Sequence, residues 1–246
     1  MRRVMFAAAA ILAVVLAVVA PATAASHHGD GVRNAPNHKI TQSTSSNWAG
    51  YAAINKTFTS VTSSWTQPTA TCTKQQTYSS FWVGLDGYSS NSVEQTGTDA
   101  DCSSAGVPSY YAWYEMYPKF PVNLSATTYR VSPGDHLSAS VTFSGRNSFT
   151  LKISNSTRGW SFTTVQKHKA VRSSAEVIAE APSSSSGVLP LTNFGTVNFG
   201  SSTANGQSLA SFTTDRIDMV SGTTTTKATT GTISAAGAFS VTWKHS

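Results

Sequence analysis

Apolar and polar residues alternate one by one along several short stretches of this sequence. In HLSASVTF (136–143) every second residue is apolar, and SFTLKIS (148–154) and FSVTW (239–243) have the same period. A period of two predicts a β-strand with one buried face. Turn-forming residues, SPGD (132–135) and SGRN (144–147), punctuate these stretches, and no helical periodicity is convincing. The chain is therefore predicted to be all-β, an antiparallel two-sheet β-sandwich of the concanavalin A-like jelly-roll type.

The N-terminus has the pattern of a secretory signal. Two arginines precede an apolar run from residue 4 to 19, and the segment 21–24 ends in an A-x-A cleavage pattern. We expect a signal peptide over residues 1–24, a flexible tail or short pro-segment over 25–45, and one β-sandwich domain over 46–246. No later stretch is apolar enough to cross a bilayer. The mature protein is thus expected to be extracellular, with no membrane association.

Composition excludes several classes of function. The two cysteines, Cys72 and Cys102, are predicted to form one disulfide outside the cell. The net charge of +6 arises because only 11 residues are acidic, and the 17 Lys and Arg are too scattered for a nucleic-acid surface. The six histidines have no metal-ligand spacing. We expect no metal, no cofactor and no nucleic-acid partner, and a monomer.

The acids are concentrated among aromatic residues. Five of the eleven lie within thirty positions: Asp86, Glu94, Asp99, Asp101 and Glu115. The same region carries FWVGLDG (81–87) and YYAWYEMYP (110–118). If the second stretch is a strand, Trp113, Glu115 and Tyr117 share a face. Aromatic and polar side chains together favour a cleft for an extended ligand such as a peptide or a glycan, although each aromatic alone could be core packing.

The stretch SAEVIAEAP (174–182) carries two further acids four residues apart. Read as a strand, it places Glu176, Ile178 and Glu180 on one face. Two carboxylates on a dry apolar face are costly, which predicts a wet or hydrogen-bonded groove. The alternative is an exposed edge strand whose glutamates discourage pairing with another sheet, and the spacing alone favours this alternative.

Five pieces of sequence, in order, resemble one family closely. They are SSNWAGY (45–51), FWVGLDG (81–87), VEQTGTD (93–99), AWYEMYP (112–118) and AEVIAE (175–180). Each piece is weak alone, but together they span most of residues 45–246 and resemble the glutamic peptidases, or eqolisins, whose known fungal members are secreted acid proteases. The resemblance implies a two-sheet sandwich that hydrolyses polypeptides with a catalytic Gln and Glu in a cleft on one sheet.

The resemblance also implies which residues act. The family's Gln matches Gln95, and its Glu matches Glu180 rather than Glu176. Residues that line or support the family's cleft match Trp48, Trp82, Asp86, Asp99 and Glu115, and Trp113 lies in the same stretch as Glu115. The ionised Glu would act as general base toward water, and the Gln amide would stabilise the oxyanion.

The sequence departs from the family pattern at three positions and in overall charge. Val177 replaces an aromatic residue, Glu94 an apolar one and Met116 a tryptophan, and this chain is basic where the fungal enzymes are acid-rich. Two other functions fit the residues. One is a jelly-roll glycoside hydrolase that uses two carboxylates, Glu115 with Glu180; the other is a non-catalytic lectin-like module.

Overall fold

Strands follow the alternating stretches of the sequence, and all of them are short. The structure, a computed structural model, describes residues 44–222 and 224–246, so the predicted signal peptide and residues 25–43 lie outside the described part. Apart from one 3₁₀ turn at Leu209–Ser211, the regular elements of this part are strands. In chain order they are β1 Thr44–Ser45, β2 Trp48–Ala53, β3 Ser60–Thr66, β4 Ser80–Leu85, β5 Val93–Cys102, β6 Pro108–Tyr117, β7 Val122–Asn123, β8 His136–Gly145, β9 Ser148–Asn155, β10 Trp160–Lys167, β11 Ala175–Glu180, β12 Ser183–Ser184, β13 Gly187–Val188, β14 Thr196–Ala204, β15 Gln207–Ser208, β16 Thr214–Ser221, β17 Thr225–Thr230 and β18 Phe239–Trp243.

The strands form two layers that share β16. Sheet I has the order β10-β9-β8-β3-β14-β18-β17, and sheet II has the order β16-β2-β11-β4-β5-β6-β7. Residues 214–217 of β16 pair with β2, and residues 219–221 pair with β17. Within the pairing with β17, the register shifts between Met219 and Val220. Neighbouring strands are antiparallel, and the exception is β1, which lies parallel to β16. The predicted antiparallel β-sandwich is confirmed.

The three alternating stretches are strands β8, β9 and β18, as predicted. The turn between β8 and β9 places Arg146 and Asn147 at φ values of 50° and 59°. Two consecutive positive φ values define the tight hairpin turn whose twist matches the flanking strands. The apolar positions of these strands face sheet II and build the main core with residues such as Phe81, Val83 and Val177.

Strand β11 is central in sheet II. It pairs with β2 on one side and β4 on the other, and all six of its residues are buried. The alternative that SAEVIAEAP is an exposed edge strand is therefore wrong. Ala175, Val177 and Ala179 belong to the core between the sheets, while Glu176, Ile178 and Glu180 face the other side of sheet II.

Both ends of the disulfide lie near this sheet. Cys72 and Cys102 are bonded, as predicted, with Cα atoms 5.4 Å apart. Cys102 is the last residue of β5, so the bond ties the end of that strand to the segment before β4. The first described residues, Thr44–Ser45, pair with Asp218 and Met219 of β16, so the chain runs along β16 just before β2 begins.

Candidate active site

Three rows of side chains cross the face of sheet II that points away from the core. Cross-strand partners in a sheet point to the same face, so the pairing register defines each row. The first row contains Trp48, Glu180, Ser80, Asp99 and Tyr111; the middle row Gly50, Ile178, Trp82, Gly97 and Trp113; and the third row Ala52, Glu176, Gly84, Gln95 and Glu115. Asp215 of β16 extends the third row beyond Ala52. One face of one sheet thus carries both residues of the predicted dyad.

The carboxylate of Glu180 accepts hydrogen bonds at both oxygens. Asn47 Nδ2 donates to Oε1 at 3.0 Å, and Trp82 Nε1 donates to Oε2 at 2.8 Å. Asn47 precedes β2, and Ser45 Oγ donates to its Oδ1 at 3.2 Å, which orients its amide. Hydrogen bonds of this kind stabilise the ionised form of a carboxyl group.

The amide of Gln95 is held by its neighbour in the third row. Nε2 of Gln95 donates to Oε2 of Glu115 at 3.0 Å, and both side chains are buried. On the other side of Gln95 in this row, Gly84 contributes no side chain, and Glu176 follows on β11. By register, therefore, Glu176 and not Glu180 shares a row with Gln95.

The indole of Trp82 lies between the two rows of the predicted dyad. A Cβ atom on Gly97 would be 2.5 Å from Trp82 Cβ, so only glycine allows the tryptophan to approach β5 this closely. A Cβ atom on Gly84 would lie 2.9 Å from Trp82 Cζ3 and 3.2 Å from Gln95 Cβ. The ring thus extends from Glu180, which it contacts through Nε1, to the neighbourhood of Gln95. Trp48 packs edge-on against it at 5.0 Å between ring centroids.

Asp99 belongs to a buried cluster at the other end of these rows. Its Oδ1 accepts a hydrogen bond from Trp113 Nε1. The hydroxyl of Tyr111 lies 2.7 Å from Asp99 Oδ2 and 2.8 Å from Asp101 Oδ2. The backbone N–H of Ser79 donates to Asp101 Oδ1 at 3.2 Å. Burial, and next the negative charge of Asp99, raise the pKa of Asp101 well above its usual range.

Asp86 anchors a loop. It lies directly after β4 with φ of 70°, and its carboxylate accepts hydrogen bonds from the backbone N–H groups of Arg172 and Ser173. The Ser173 hydroxyl also donates to it, at 3.1 Å. The expectation that Asp86 supports the site therefore has a concrete form: it fixes the loop that leads into β11.

Glu176 and Glu94, two buried acids that are affected by the charge of Asp86, both have raised pKa values. Burial is the main cause for Glu176, whose pKa is well above its usual range, and the charges of Asp86 and Glu94 act in the same direction. Burial, followed by the charge of Asp86, raises the pKa of Glu94 to about 8. Glu94 lies opposite Leu85 and Met116, and its Oε1 is 3.9 Å from His168 Nε2.

Several residues of this face were not predicted as site residues. Asn47 lies within the SSNWAGY stretch, and Asp101 is one of the five acids concentrated between residues 86 and 115. Tyr88, which follows β4, donates a hydrogen bond to Asp215 Oδ2 at 2.9 Å. No local pattern links residues 88 and 215, so sequence reasoning had no signal for that contact.

The fold and this face define a β-sandwich in which the outer face of one sheet, the face turned away from the core, combines buried carboxylates, an amide and tryptophans. The chain belongs to the Peptidase A4 family, whose family model matches residues 46–243. It is 31% identical to aspergillopepsin-2 of Aspergillus niger over 179 residues, which covers 63% of this chain and 62% of that protein. It is 32% identical to scytalidopepsin B of Scytalidium lignicola over 140 residues, covering 55% of this chain and 51% of that protein. The matches thus span between about half and two thirds of these relatives.

Solved structures of glutamic peptidases also match this chain in fold. A crystal structure of scytalido-glutamic peptidase with a transition state analog inhibitor matches with a TM-score of 0.68 and 25% identity, covering 81% of this chain and 98% of that chain. The crystal structure of aspergilloglutamic peptidase from Aspergillus niger matches with a TM-score of 0.59 and 27% identity, covering 68% of this chain and 99% of that chain. Family and fold therefore agree with the resemblance of the five sequence stretches.

Proposed function

We propose that this protein is a secreted acid endopeptidase that hydrolyses peptide bonds with Gln95 and Glu180. The observation that carries the proposal is that both side chains lie on one face of one sheet, with two N–H donors on the Glu180 carboxylate. Membership of the Peptidase A4 family supports the reaction class, and the pattern of residues 1–24 supports secretion. In the described part of the chain, no helix is long and apolar enough to cross a membrane.

Glu180 is better suited than Glu176 to act as a base in acid. A general base must be ionised before it can take a proton from water. The bonds from Asn47 and Trp82 stabilise the ionised form of Glu180, whereas burial raises the pKa of Glu176 and keeps it neutral at acid pH. Glu176 shares a row with Gln95, but its neutral form can accept no proton from water.

Gln95 would stabilise the tetrahedral intermediate. Its Nε2 carries two N–H groups, of which one donates to Glu115, and we assign the other to the oxyanion. An amide does not titrate, so this donor persists at low pH. Glu180 would remove the proton of the attacking water and then deliver it to the leaving amine.

The walls of the face fit a polypeptide. Trp82 and Trp113 lie in the middle row and Trp48 lies beside Glu180 in the first row, all three in one apolar cluster. Sites that combine such apolar side chains with a few polar groups suit an extended chain. Polypeptide substrates are therefore the partners we propose, and a monomer without bound nucleic acid remains our prediction.

Four variants test the assignment by digestion of haemoglobin at about pH 3. Glu180→Gln should abolish activity because it removes the base, and Gln95→Ala should lower kcat by roughly 10²–10³-fold because it removes an oxyanion donor. Glu176→Gln, the matched control on the same face of β11, should retain far more activity than Glu180→Gln. Glu115→Gln should retain some activity, since its carboxylate only orients the amide.

The same variants separate the alternatives. Full activity of Gln95→Ala, together with cleavage of a polysaccharide that depends on Glu115 and Glu180, would establish a glycoside hydrolase. Failure of the purified mature protein to cleave either substrate would favour a binding module. If Glu176→Gln is inactive and Glu180→Gln is active, the general base is Glu176 and our assignment is wrong.

A further inference from the structure

The Tyr111 hydroxyl contacts two carboxyl groups, but it has only one proton to donate. It lies 2.7 Å from an oxygen of Asp99 and 2.8 Å from an oxygen of Asp101. Both distances are those of O–H···O hydrogen bonds, and each such bond needs one proton between its oxygens. A phenol has one hydroxyl proton and can donate once. If both carboxyl groups were ionised, one of the two contacts would set a carboxylate oxygen against the phenol oxygen with no proton between them.

The three side chains of this cluster are shielded from solvent, so water does not screen the charges of the two carboxyl groups. Asp99 is fully buried, and Asp101 and Tyr111 are each 3% exposed. Among the described residues, the titratable groups that approach Asp101 are Asp99 on its own strand, Tyr111 on β6 and Tyr78 before β4. Burial and the charge of Asp101 raise the pKa of Tyr78. Two anions in such a place repel strongly, since the effective dielectric constant is low.

We infer that Asp99, Tyr111 and Asp101 share one additional proton, held mainly on Asp101, and that this proton keeps sheet II ordered and sets the upper pH limit of the enzyme. Asp101 is then a positioning residue that acts through its neighbours. Its protonated Oδ2 donates to the phenol oxygen, the phenol donates to Asp99, and Oδ1 accepts from the Ser79 N–H. Every contact in this arrangement has one donor and one acceptor.

Asp99 connects this cluster to the tryptophans of the proposed substrate face, on which Asp99 and Tyr111 themselves lie. Its second oxygen accepts from Trp113 Nε1, and Trp113 stands in the middle row on the same face as Trp82. Loss of the shared proton leaves one phenol proton for two carboxylates at the base of that tryptophan. The pairing of β5 with β6 around Trp113 should therefore loosen as the pH rises.

The direction of the pH effect follows from proton counting. In the unfolded chain an aspartate has a pKa of about 3.9, while burial and Asp99 raise the pKa of Asp101 in the fold. Below about pH 4 both states hold the proton, and stability does not depend on this group. Above it, only the folded state holds the proton, so each further pH unit favours unfolding by up to tenfold until the folded pKa is passed.

The test compares two amide variants of the cluster. In Asp101→Asn, the amide can donate to the phenol and accept from Ser79, as the neutral carboxyl does; in Asp99→Asn, Asp101 can ionise and accept the phenol proton. Urea unfolding midpoints of the full mature protein are measured between pH 3 and pH 7. For each single variant, the unfolding free energy should fall less steeply with pH than that of the wild type, by the slope that corresponds to one proton. Because the proton is shared, the double variant should show no greater change than either single one.

A control and an activity measurement complete the experiment. Asp218→Asn removes an acid outside the cluster, and the double variant Asp101→Asn with Asp218→Asn should lose the same one-proton dependence relative to Asp218→Asn as Asp101→Asn loses relative to the wild type. In haemoglobin digestion, the alkaline limb of the profile should move to higher pH in Asp101→Asn. Only this second readout rests on the proposed function: if no form digests protein, that function fails while the unfolding curves still test the proton. Parallel curves for the wild type and both single variants, or additive effects in the double variant, would overturn the inference.

Discussion

Gln95 donates from Nε2 to Oε2 of Glu115 at 3.0 Å, across the β5–β6 pair at the centre of the proposed active site. An ionised carboxylate can only accept, so this contact determines which end of the amide points toward β6. A neutral partner that can both donate and accept would not fix the orientation of the Gln95 amide. The contact therefore orients the donor that we assign to the oxyanion.

Replacing Glu115 by Gln should lower kcat by about tenfold and change KM little. A glutamine at position 115 can pair with either end of the Gln95 amide, so part of the population presents Oε1 where Nε2 is needed. An oxyanion donor is worth about 3–4 kcal/mol of barrier, so even partial misorientation is measurable. Steady-state kinetics on a peptide substrate give both constants. An unchanged kcat would show that Glu115 does not orient the amide.

Replacing Trp82 by Phe should shift the acid limb of the kcat/KM profile to higher pH. Phenylalanine keeps an aromatic ring but has no N–H to donate to Glu180 Oε2. The ionised carboxylate then loses one of its two described donors and takes up a proton more readily.

Trp48→Phe provides the matched control for that shift. Trp48 lies beside Glu180 in the first row, and its Nε1 has no hydrogen-bond partner in the part of the chain that the structure describes. The Trp48→Phe variant loses an indole ring but removes no donor from Glu180, so the acid limb of its kcat/KM profile should stay in place. Equal shifts in the two variants would attribute the effect to lost ring volume rather than to the hydrogen bond.

Replacing both cysteines by serine should cost about 3–4 kcal/mol of unfolding free energy in the chain-entropy account. The bond between Cys72 and Cys102 closes a loop with a sequence separation of 30. It also ties the end of β5 to the segment that precedes β4. Urea unfolding of the double variant at about pH 4 measures the loss. A midpoint equal to that of the wild type would show that the fold gains nothing from the bond.

The faces of the strands could be predicted from the sequence because the side-chain period is local. Alternation alone assigned β8, β9 and β18, and it placed Glu176 and Glu180 on one face of β11. The position of β11 between β2 and β4 could not be predicted in this way. It depends on pairing with residues about a hundred positions away, and no alternation within six residues encodes a partner strand.

The same limit applies within the site. The five matched stretches identified Gln95 and Glu180 as candidates, but only the register shows that they lie in different rows with Trp82 between them. The contact of Tyr111 with two aspartates likewise depends on the pairing of β5 with β6. The sequence shows that Asp99 and Asp101 are close along the chain, but it gives no distance to a phenol on the next strand.

Glu94 provides the last prediction, because it is an acid in a place that should be apolar. It faces the interior opposite Leu85 and Met116, and burial, then the charge of Asp86, raise its pKa to about 8. An unfolded glutamate has a pKa of about 4.3, so between these values the folded state holds a proton that the unfolded chain releases. Stability contributed by the neutral form is thus fully present below about pH 4 and is lost as the pH rises toward 8.

Glu94→Leu should therefore raise the unfolding free energy at about pH 7.5 by an amount on the order of 4 kcal/mol, and have a much smaller effect at about pH 4. Glu94→Gln is the matched control: it removes the titration but leaves a buried amide, so its pH dependence should flatten like that of the leucine variant at lower stability throughout. Urea midpoints at the two pH values measure both effects. A gain of equal size at both pH values would show that leucine acts by packing alone and that Glu94 does not hold a proton in the neutral range.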